Sequence, residues 1–244
     1  MKKRILLLIA AAMTASLVGC HDDDGYSIDD FWIGMGTATK LSAESQPFYI
    51  QFDNGDKDWI AATNLPHYNP KDGQRIIANY TILSDKMSGY DHAIKLNNVY
   101  EVLTKPVITE TTANSDSIGK DKILIRSAWI ASDYLNIKFE FLGNSKRHMV
   151  NLVTNETFGS TPELAKIQFR QNGYGDEERY RMQGIVSFNI ASLKVAGVQT
   201  RNIELKYTDL DGVEKKIDLK YDWSGLVKID TPVPFDQNNY SVIK

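Results

Sequence analysis

Alternation is the strongest constraint in this chain. Leu135, Ile137, Phe139 and Phe141 are apolar and the intervening Asn136, Lys138 and Glu140 are not, which is the period of two expected of a strand with one face in a core. Ile203-Glu204-Leu205-Lys206-Tyr207 and Lys216-Ile217-Asp218-Leu219-Lys220-Tyr221 repeat the pattern on either side of Asp209-Leu210-Asp211-Gly212, predicting an amphipathic hairpin with one wet face. Residues 149–153, 166–170 and 184–190 add further strand-like runs, whereas only 160–166 and 190–196 offer any helix, each brief. Many short antiparallel strands with polar turns predict an antiparallel β-sandwich over 120–244.

The front half alternates less cleanly but carries the same signature. Residues 31–39 begin with aromatic and β-branched side chains and contain Gly34 and Gly36, which permit a bulge or sharp coiling. Residues 48–52 form a short strand, and Asp53-Asn54-Gly55-Asp56 reads as a reverse turn leading to Trp59-Ile60-Ala61. Asp72-Gly73 introduces 74–83, with Ile77, Tyr80 and Ile82 pointing inwards; 94–103 follows, ended by Lys105-Pro106. Short strands at this spacing predict a five-stranded closed barrel of OB type over 31–108. The polar, β-poor segment 109–119 is read as the linker between two domains, and the chain is all-β throughout.

The most apolar run stands apart from both domains. Met1-Lys2-Lys3-Arg4 precedes an apolar core and a small-residue stretch ending at Gly19. This is too short for a bilayer span, which needs about 20 apolar residues, and residues 1–19 are therefore read as an export signal. Leu17-Val18-Gly19-Cys20 resembles the lipobox of bacterial lipoproteins. That resemblance implies cleavage between Gly19 and Cys20 and a diacylglyceryl thioether on Cys20, an anchor to a membrane. Cys20 is the one cysteine of 244 residues, so no disulfide framework and no multi-thiolate zinc site is available. Residues 20–30 have too little apolar content to fold alone and are read as an acidic tether. Asp22, Asp23 and Asp24 within it resemble the surface-export signal of Bacteroidetes lipoproteins, which implies an outer-membrane location facing outwards; a solvated spacer is the plainer alternative.

Charge then narrows the partners. The formal net charge is −3, from 28 basic and 31 acidic side chains, and loss of residues 1–19 leaves 25 against 31. The excess lies in 20–108, with 7 basic and 13 acidic residues; 109–244 carries 18 of each. Trp32, Phe48, Tyr49, Trp59 and Tyr80 offer the aromatic surface on which an OB barrel stacks bases, but without a basic groove nucleic acid is excluded as a partner. A sugar or peptide suits such aromatics better, where they are not simply core.

Asp72-Gly73-Gln74-Arg75-Ile76-Ile77-Ala78-Asn79-Tyr80-Thr81-Ile82-Leu83, Tyr134-Leu135-Asn136-Ile137-Lys138-Phe139, Arg147-His148-Met149-Val150-Asn151-Leu152-Val153 and Gln168-Phe169-Arg170-Gln171-Asn172-Gly173-Tyr174-Gly175-Asp176 resemble the NigD-like lipoproteins of Bacteroides and Prevotella. The resemblance covers the mature chain. It implies an N-terminal OB domain, a C-terminal β-sandwich and a role associated with bacteriocin immunity, with no catalytic residues to transfer. Gln171 stands where the family is expected to show histidine, which weakens a metal site in that loop.

No nucleophile elbow, zinc-protease helix, P-loop or dinucleotide fingerprint occurs in the sequence. His67, His92 and His148 are the histidines of the folded part, and a general base would need one of them paired with a carboxylate, as Asp91 adjoins His92. Asp53, Asp56 and Asp58 around Gly55 carry oxygens that suit calcium, and Asp209-Leu210-Asp211-Gly212 echoes an EF-loop. The second fails because the register would put Tyr207 at the first ligand position, and both are read as hairpin turns, leaving no metal and no cofactor. The sequence thus predicts a non-enzymatic, lipid-anchored surface protein that binds a protein or glycan. Bacteriocin immunity is the first reading and a glycan-binding accessory of an uptake system the second. A hydrolase built on a histidine and a carboxylate is the third; it would require a concave polar pocket at that histidine.

Overall fold

The computed structural model describes residues 26–225 apart from 28 and 43–46. Gly19, Cys20, Asp22, Asp23 and Asp24, and with them the readings of cleavage, lipidation and export, lie outside the described residues.

Five strands form the first domain: β1 (Trp32–Lys40), β2 (Phe48–Phe52), β3 (Lys57–Thr63), β4 (Gln74–Met87) and β5 (Tyr90–Glu101). They close in the order β1-β2-β3-β5-β4, with β4 returning to β1 and with β3 and β5 parallel. Closure depends on glycine in β1. Gly36 lies opposite Phe52 on one side and Ile76 on the other, and a Cβ there would sit 2.7 Å from the Gln51 carbonyl oxygen. Inside are Ile50, Phe52, Ile76, Ala78, Tyr80, Ile82, Ile94 and Leu96. Ile77, expected inside with Tyr80 and Ile82, is of opposite parity. It is buried all the same, in a separate cluster with Met35, Val102 and Ile185, because the second domain covers that outer face.

The second domain is a β-sandwich made from one folded-over sheet. Its strands are β6 (Leu103–Thr109), β7 (Leu124–Ala131), β8 (Tyr134–Gly143), β9 (Met149–Thr154), β10 (Leu164–Asn172), β11 (Tyr180–Asn189), β12 (Thr200–Thr208) and β13 (Glu214–Asp222). Their order is β13-β12-β10-β9-β6-β11-β8-β7. Strand β6 is the corner. It pairs with β11 up to Pro106 and with β9 from Val107, and Pro106, which has no N–H to give a ladder, sits at the switch. Phe139, Phe169 and Phe188 meet edge to face across the core, and Leu135, Ile137, Phe139 and Phe141 all face it. The hairpin pairs Ile203 with Leu219 and Leu205 with Ile217.

Several expectations are corrected. The domain boundary falls at Val102/Leu103 rather than at 109–119, since 103–109 is already a sandwich strand. The expected linker is a turn of that domain, holding the short helix α1 (Ser115–Ile118). Its polar residues bond to one another and to the sandwich: Asn114 accepts from the Thr111 N–H at 2.7 Å, and the Asn172 amide donates to the Asp116 carbonyl at 2.9 Å. Residues 160–166 form no helix and run into β10, while 190–196 contains one turn of 3-10 helix at Ala191–Leu193. Strand β7 had no separate sequence signal. The described end of the acidic tether is held on the barrel, through Tyr26 and Asp30.

The polar face expected of β8 is also buried at both ends. Glu140 lies under Arg126 and Arg181, at 2.6 and 2.8 Å. Asn136 is covered by the barrel and belongs to the junction between domains, which is centred on Arg75. The Arg75 guanidinium donates to both oxygens of Asp53 at 2.7 Å, to Thr37 and Asn136 at 3.0 Å, and to Ser187 at 3.4 Å. Trp129 donates its indole N–H to Asp53 at 3.0 Å. Every strong donor and acceptor in this dry cluster is matched, which joins the two domains in one fixed arrangement.

Candidate functional site

The aromatic residues of the barrel divide into two sets. Phe48 and Tyr80 belong to the core, and Trp32 packs on its end. Tyr49 and Trp59, at facing positions of β2 and β3, are half-buried on the outer side, where Tyr90 joins them at 5.7 and 5.4 Å between ring centroids. The Lys57 ammonium lies over both tyrosine rings, at 4.6 and 4.7 Å, a cation–π clasp that fixes their orientation. Beside them, Trp59, Phe48, Ile60, Leu65, Pro66 and Tyr68 line an open cleft of about 210 Å³. Burial drives the Tyr68 hydroxyl well above the usual phenol range, with the charge of Glu101 adding to the effect, so it stays neutral. The cleft is apolar with aromatic walls, and among the described residues none of those lining it is charged.

The three aspartates considered as a calcium loop are drawn apart. Asp53 is taken by Arg75 in the junction. Asp56 closes the turn, bonding the Asn54 amide at 2.6 Å. Asp58 is buried inside the barrel, where its Oδ1 is 2.9 Å from His92 Nδ1. Burial pushes the Asp58 carboxyl up to about 6 against the lowering influence of His92, and Asp56 and Asp91 push the same way. The partner of His92 is therefore Asp58 and not its neighbour Asp91, which accepts from the Lys57 N–H instead. Parallel pairing of β3 and β5 sets Asp58 opposite His92. Asp209 accepts the N–H groups of Asp211 and Val213, as a hairpin turn requires. Among the described residues no three His, Cys, Asp or Glu side chains are placed to hold a metal ion.

A second, polar cleft lies in the sandwich, about 150 Å³ in volume and lined in part by Asp121, His148, Gln171, Asp176 and Glu178. It brings together the loop after β8 and the loop after β10. His148 is buried between them, with Phe141 against its ring at 4.5 Å. Gly173 makes this approach possible, since a Cβ there would lie 2.7 Å from His148 Cε1. His148 Nε2 lies 3.1 Å from Asp176 Oδ2, and its Nδ1 lies 2.5 Å from the Gln171 side-chain amide, both within hydrogen-bond reach. Asp176 also accepts the N–H groups of Asn144 and Ser145, at 2.6 and 3.2 Å. The Asn144 N–H, followed by that of Ser145 and the imidazole, holds the carboxyl well below the usual carboxylate range.

The concave polar pocket that a hydrolase would need is thus present at His148, whose two ring nitrogens are engaged by Asp176 and Gln171. Among the described residues no serine, threonine or cysteine lines the cleft. His67 lies exposed in the segment between β3 and β4. Sequence reasoning weighed Gln171 only as a departure from an expected histidine, and passed over Asp176 and the Arg75 junction. Their only signal was membership of the stretches that carry the family resemblance.

Comparison with known proteins follows the same two-domain division. The profile of the NigD-like N-terminal OB domain matches residues 38–102, and that of the NigD-like C-terminal beta sandwich domain matches residues 105–221. Among solved structures, a protein from Parabacteroides distasonis described as toxin-related is 34% identical, covering 80% of this chain and 95% of that one with a TM-score of 0.70. A NigD-like immunity protein from Bacteroides caccae is 18% identical over 81% of this chain and 99% of that one, TM-score 0.60. A protein from Bacteroides fragilis described as a lipoprotein is 12% identical over 80% and 100%, TM-score 0.57. These last two share the fold. None of the curated proteins compared with it matches the chain.

Proposed function

The chain belongs to the NigD-like family, and from that premise we propose that it is a non-enzymatic binding protein of immunity type, held by a lipidated Cys20 on the outer face of the outer membrane. The observation that carries this reading is the aromatic cleft beside Trp59. It lies on the β2–β3 side of the barrel, the face with which OB folds take their ligands. Its described lining offers ring faces and methyl groups, with the hydroxyls of Thr63 and Tyr68 as its polar side-chain groups and no charged side chain, a surface that suits capture rather than conversion. A phosphate backbone finds no basic residue in it. The likeness to a toxin-related protein at 34% identity supports a bacteriocin as the class of partner, which the anchored domains would intercept or whose receptor they would shield.

Deleting the gene should raise sensitivity to a cognate bacteriocin, and Trp59→Ala should reproduce the deletion. Unchanged sensitivity to every cognate bacteriocin would remove immunity from consideration. The half-buried rings of Tyr49, Trp59 and Tyr90 favour one second reading, a glycan-binding accessory, because flat aromatic faces also pack on sugar rings. A glycan array with no hit would dispose of it. Surface exposure is tested by protease treatment of intact cells, in which the protein should be cut; full protection would place it inside the membrane.

A further inference from the structure

The described chain begins with a contact that an unattached spacer would not make. The Tyr26 hydroxyl donates to Asp85 Oδ1 at 2.8 Å, and its ring meets Trp32 and His92 edge-on at 5.7 and 6.5 Å. The Thr81 hydroxyl donates to the Asp30 carbonyl at 2.8 Å. Together these bonds lay the segment along the upper part of β4, heading towards the β4–β5 turn. Exposed apolar side chains lie along this path, from Phe31 near the Tyr80–Thr81 level of β4 to Met87 at the turn. Of the five large hydrophobic residues exposed among the described residues up to Val102, Tyr26, Phe31, Leu83 and Met87 are on this path, and Leu41 is elsewhere. Leu83 and Met87 flank Asp85 on β4, and Phe31, the most exposed at 60%, follows Asp30. Strand β5 starts at this end and finishes at Glu101, beside the junction, so the sandwich lies a strand's length away.

Five residues separate Cys20 from Tyr26, which limits the distance between them to about 22 Å even when fully extended. We propose that the β4–β5 end of the barrel, bearing Tyr26, Phe31, Leu83 and Met87, is the face turned to a lipid surface, leaving the sandwich outermost. This rests on the reading of Cys20 as lipidated. A tether this short holds the patch at high effective concentration next to the bilayer, and an exposed apolar cluster of this kind needs such a partner. The headgroups it fits are zwitterionic, because Asp29, Asp30 and Asp85 border the patch and repel an anionic surface.

Lipidation would cap the only thiol of the chain, so an introduced cysteine becomes the single labelling site of the full lipoprotein. Ser88→Cys in the β4–β5 turn and Val213→Cys in the β12–β13 turn, each carrying a polarity-sensitive fluorophore, would be reconstituted into phosphatidylcholine vesicles containing a lipid quencher. The label at 88 should shift to the blue and be quenched several-fold more than the label at 213. Phe31→Ser, Leu83→Ser and Met87→Ser combined should remove that difference without stopping flotation, and adding phosphatidylglycerol should weaken it. Flotation with equal quenching at both positions would overturn the orientation. So would emission at 88 that follows protein concentration rather than lipid, since a second copy would then cover the patch. A wild-type protein that fails to float and keeps a reactive thiol would instead refute lipidation, and the proposal would fall with its premise.

Discussion

Asp58 in the barrel and Asp176 in the sandwich each contact a histidine nitrogen, at 2.9 and 3.1 Å, and each side chain is only 2% exposed. Yet the first carboxyl is pushed up to about 6 and the second is held well below the usual range. The pairs differ in what else they touch. Asp58 has barrel interior around it and takes one imidazole, so burial dominates. Asp176 takes the N–H groups of Asn144 and Ser145 as well, and main-chain donors stabilise its charge more than burial opposes it. A carboxylate–imidazole pair is therefore not a unit with a fixed property. Main-chain donors decide whether the carboxylate is a clamp, as in the sandwich, or a strained guest, as in the barrel.

Neither pair joins the two domains, and the largest expected effect separates them from the cluster that does. Arg75→Met leaves Asp53 buried without its counter-charge, which costs about 3–5 kcal/mol. Denaturant unfolding followed by both near-UV and far-UV signals should then resolve two transitions, barrel and sandwich, in place of one. Variants in either histidine pair should keep a single transition. A single, merely weakened transition in Arg75→Met would show that the apolar cluster of Met35, Ile77, Val102 and Ile185 holds the domains together without it.

The two histidines should differ next. His148 fills a closed space against Phe141 and pins two loops, so His148→Ala should cost about 3 kcal/mol, combining a cavity with an unpaired Gln171. His92 is 20% exposed and makes one such bond, so His92→Ala should cost about 1 kcal/mol. Equal losses in urea unfolding at neutral pH would break the distinction between clamp and guest.

The alternation at 135–141 and the hairpin at 203–221 were legible in the sequence because their period depends on local residues alone, and the barrel strands were legible for the same reason. Strand β6 was not, since Pro106 reads as the end of a strand when it marks a change of partner within one. Ile77 was misplaced because a second domain buries the face that should have been wet. The Arg75 junction escaped for a reason of range. Its partners Asp53, Asn136 and Ser187 lie 22, 61 and 112 residues away, and only the docked domains bring them together. The partner of His92 was not legible because the nearest carboxylate in sequence, Asp91, is turned away from it by the same period of two, and parallel pairing of β3 and β5 places Asp58 opposite it instead. Gly173 in the family-like stretch had a discoverable use, the close approach of a backbone to the His148 ring.

The smallest effect sharpens the comparison through pH. A carboxyl raised in the folded state keeps its proton longer than in the unfolded chain. Between pH 4 and 6 the folded protein then binds more protons, and the contribution of Asp58 to stability declines as pH rises through that window and stays flat above it. Asp176 has the opposite sign: its contribution is present above the ordinary carboxylate range and is lost as pH falls through it. Asp58→Asn keeps an oxygen for His92 and removes the charge. It should therefore raise stability at pH 7.5 by about 3 kcal/mol and abolish the decline between pH 4 and 6. The loss below pH 4 that belongs to Asp176 should remain. Urea midpoints measured across pH 3–8 read both limbs in one series. If the decline between pH 4 and 6 survived in Asp58→Asn, the proton would belong to another group, and burial of Asp58 would not be what distinguishes the barrel pair from the sandwich pair.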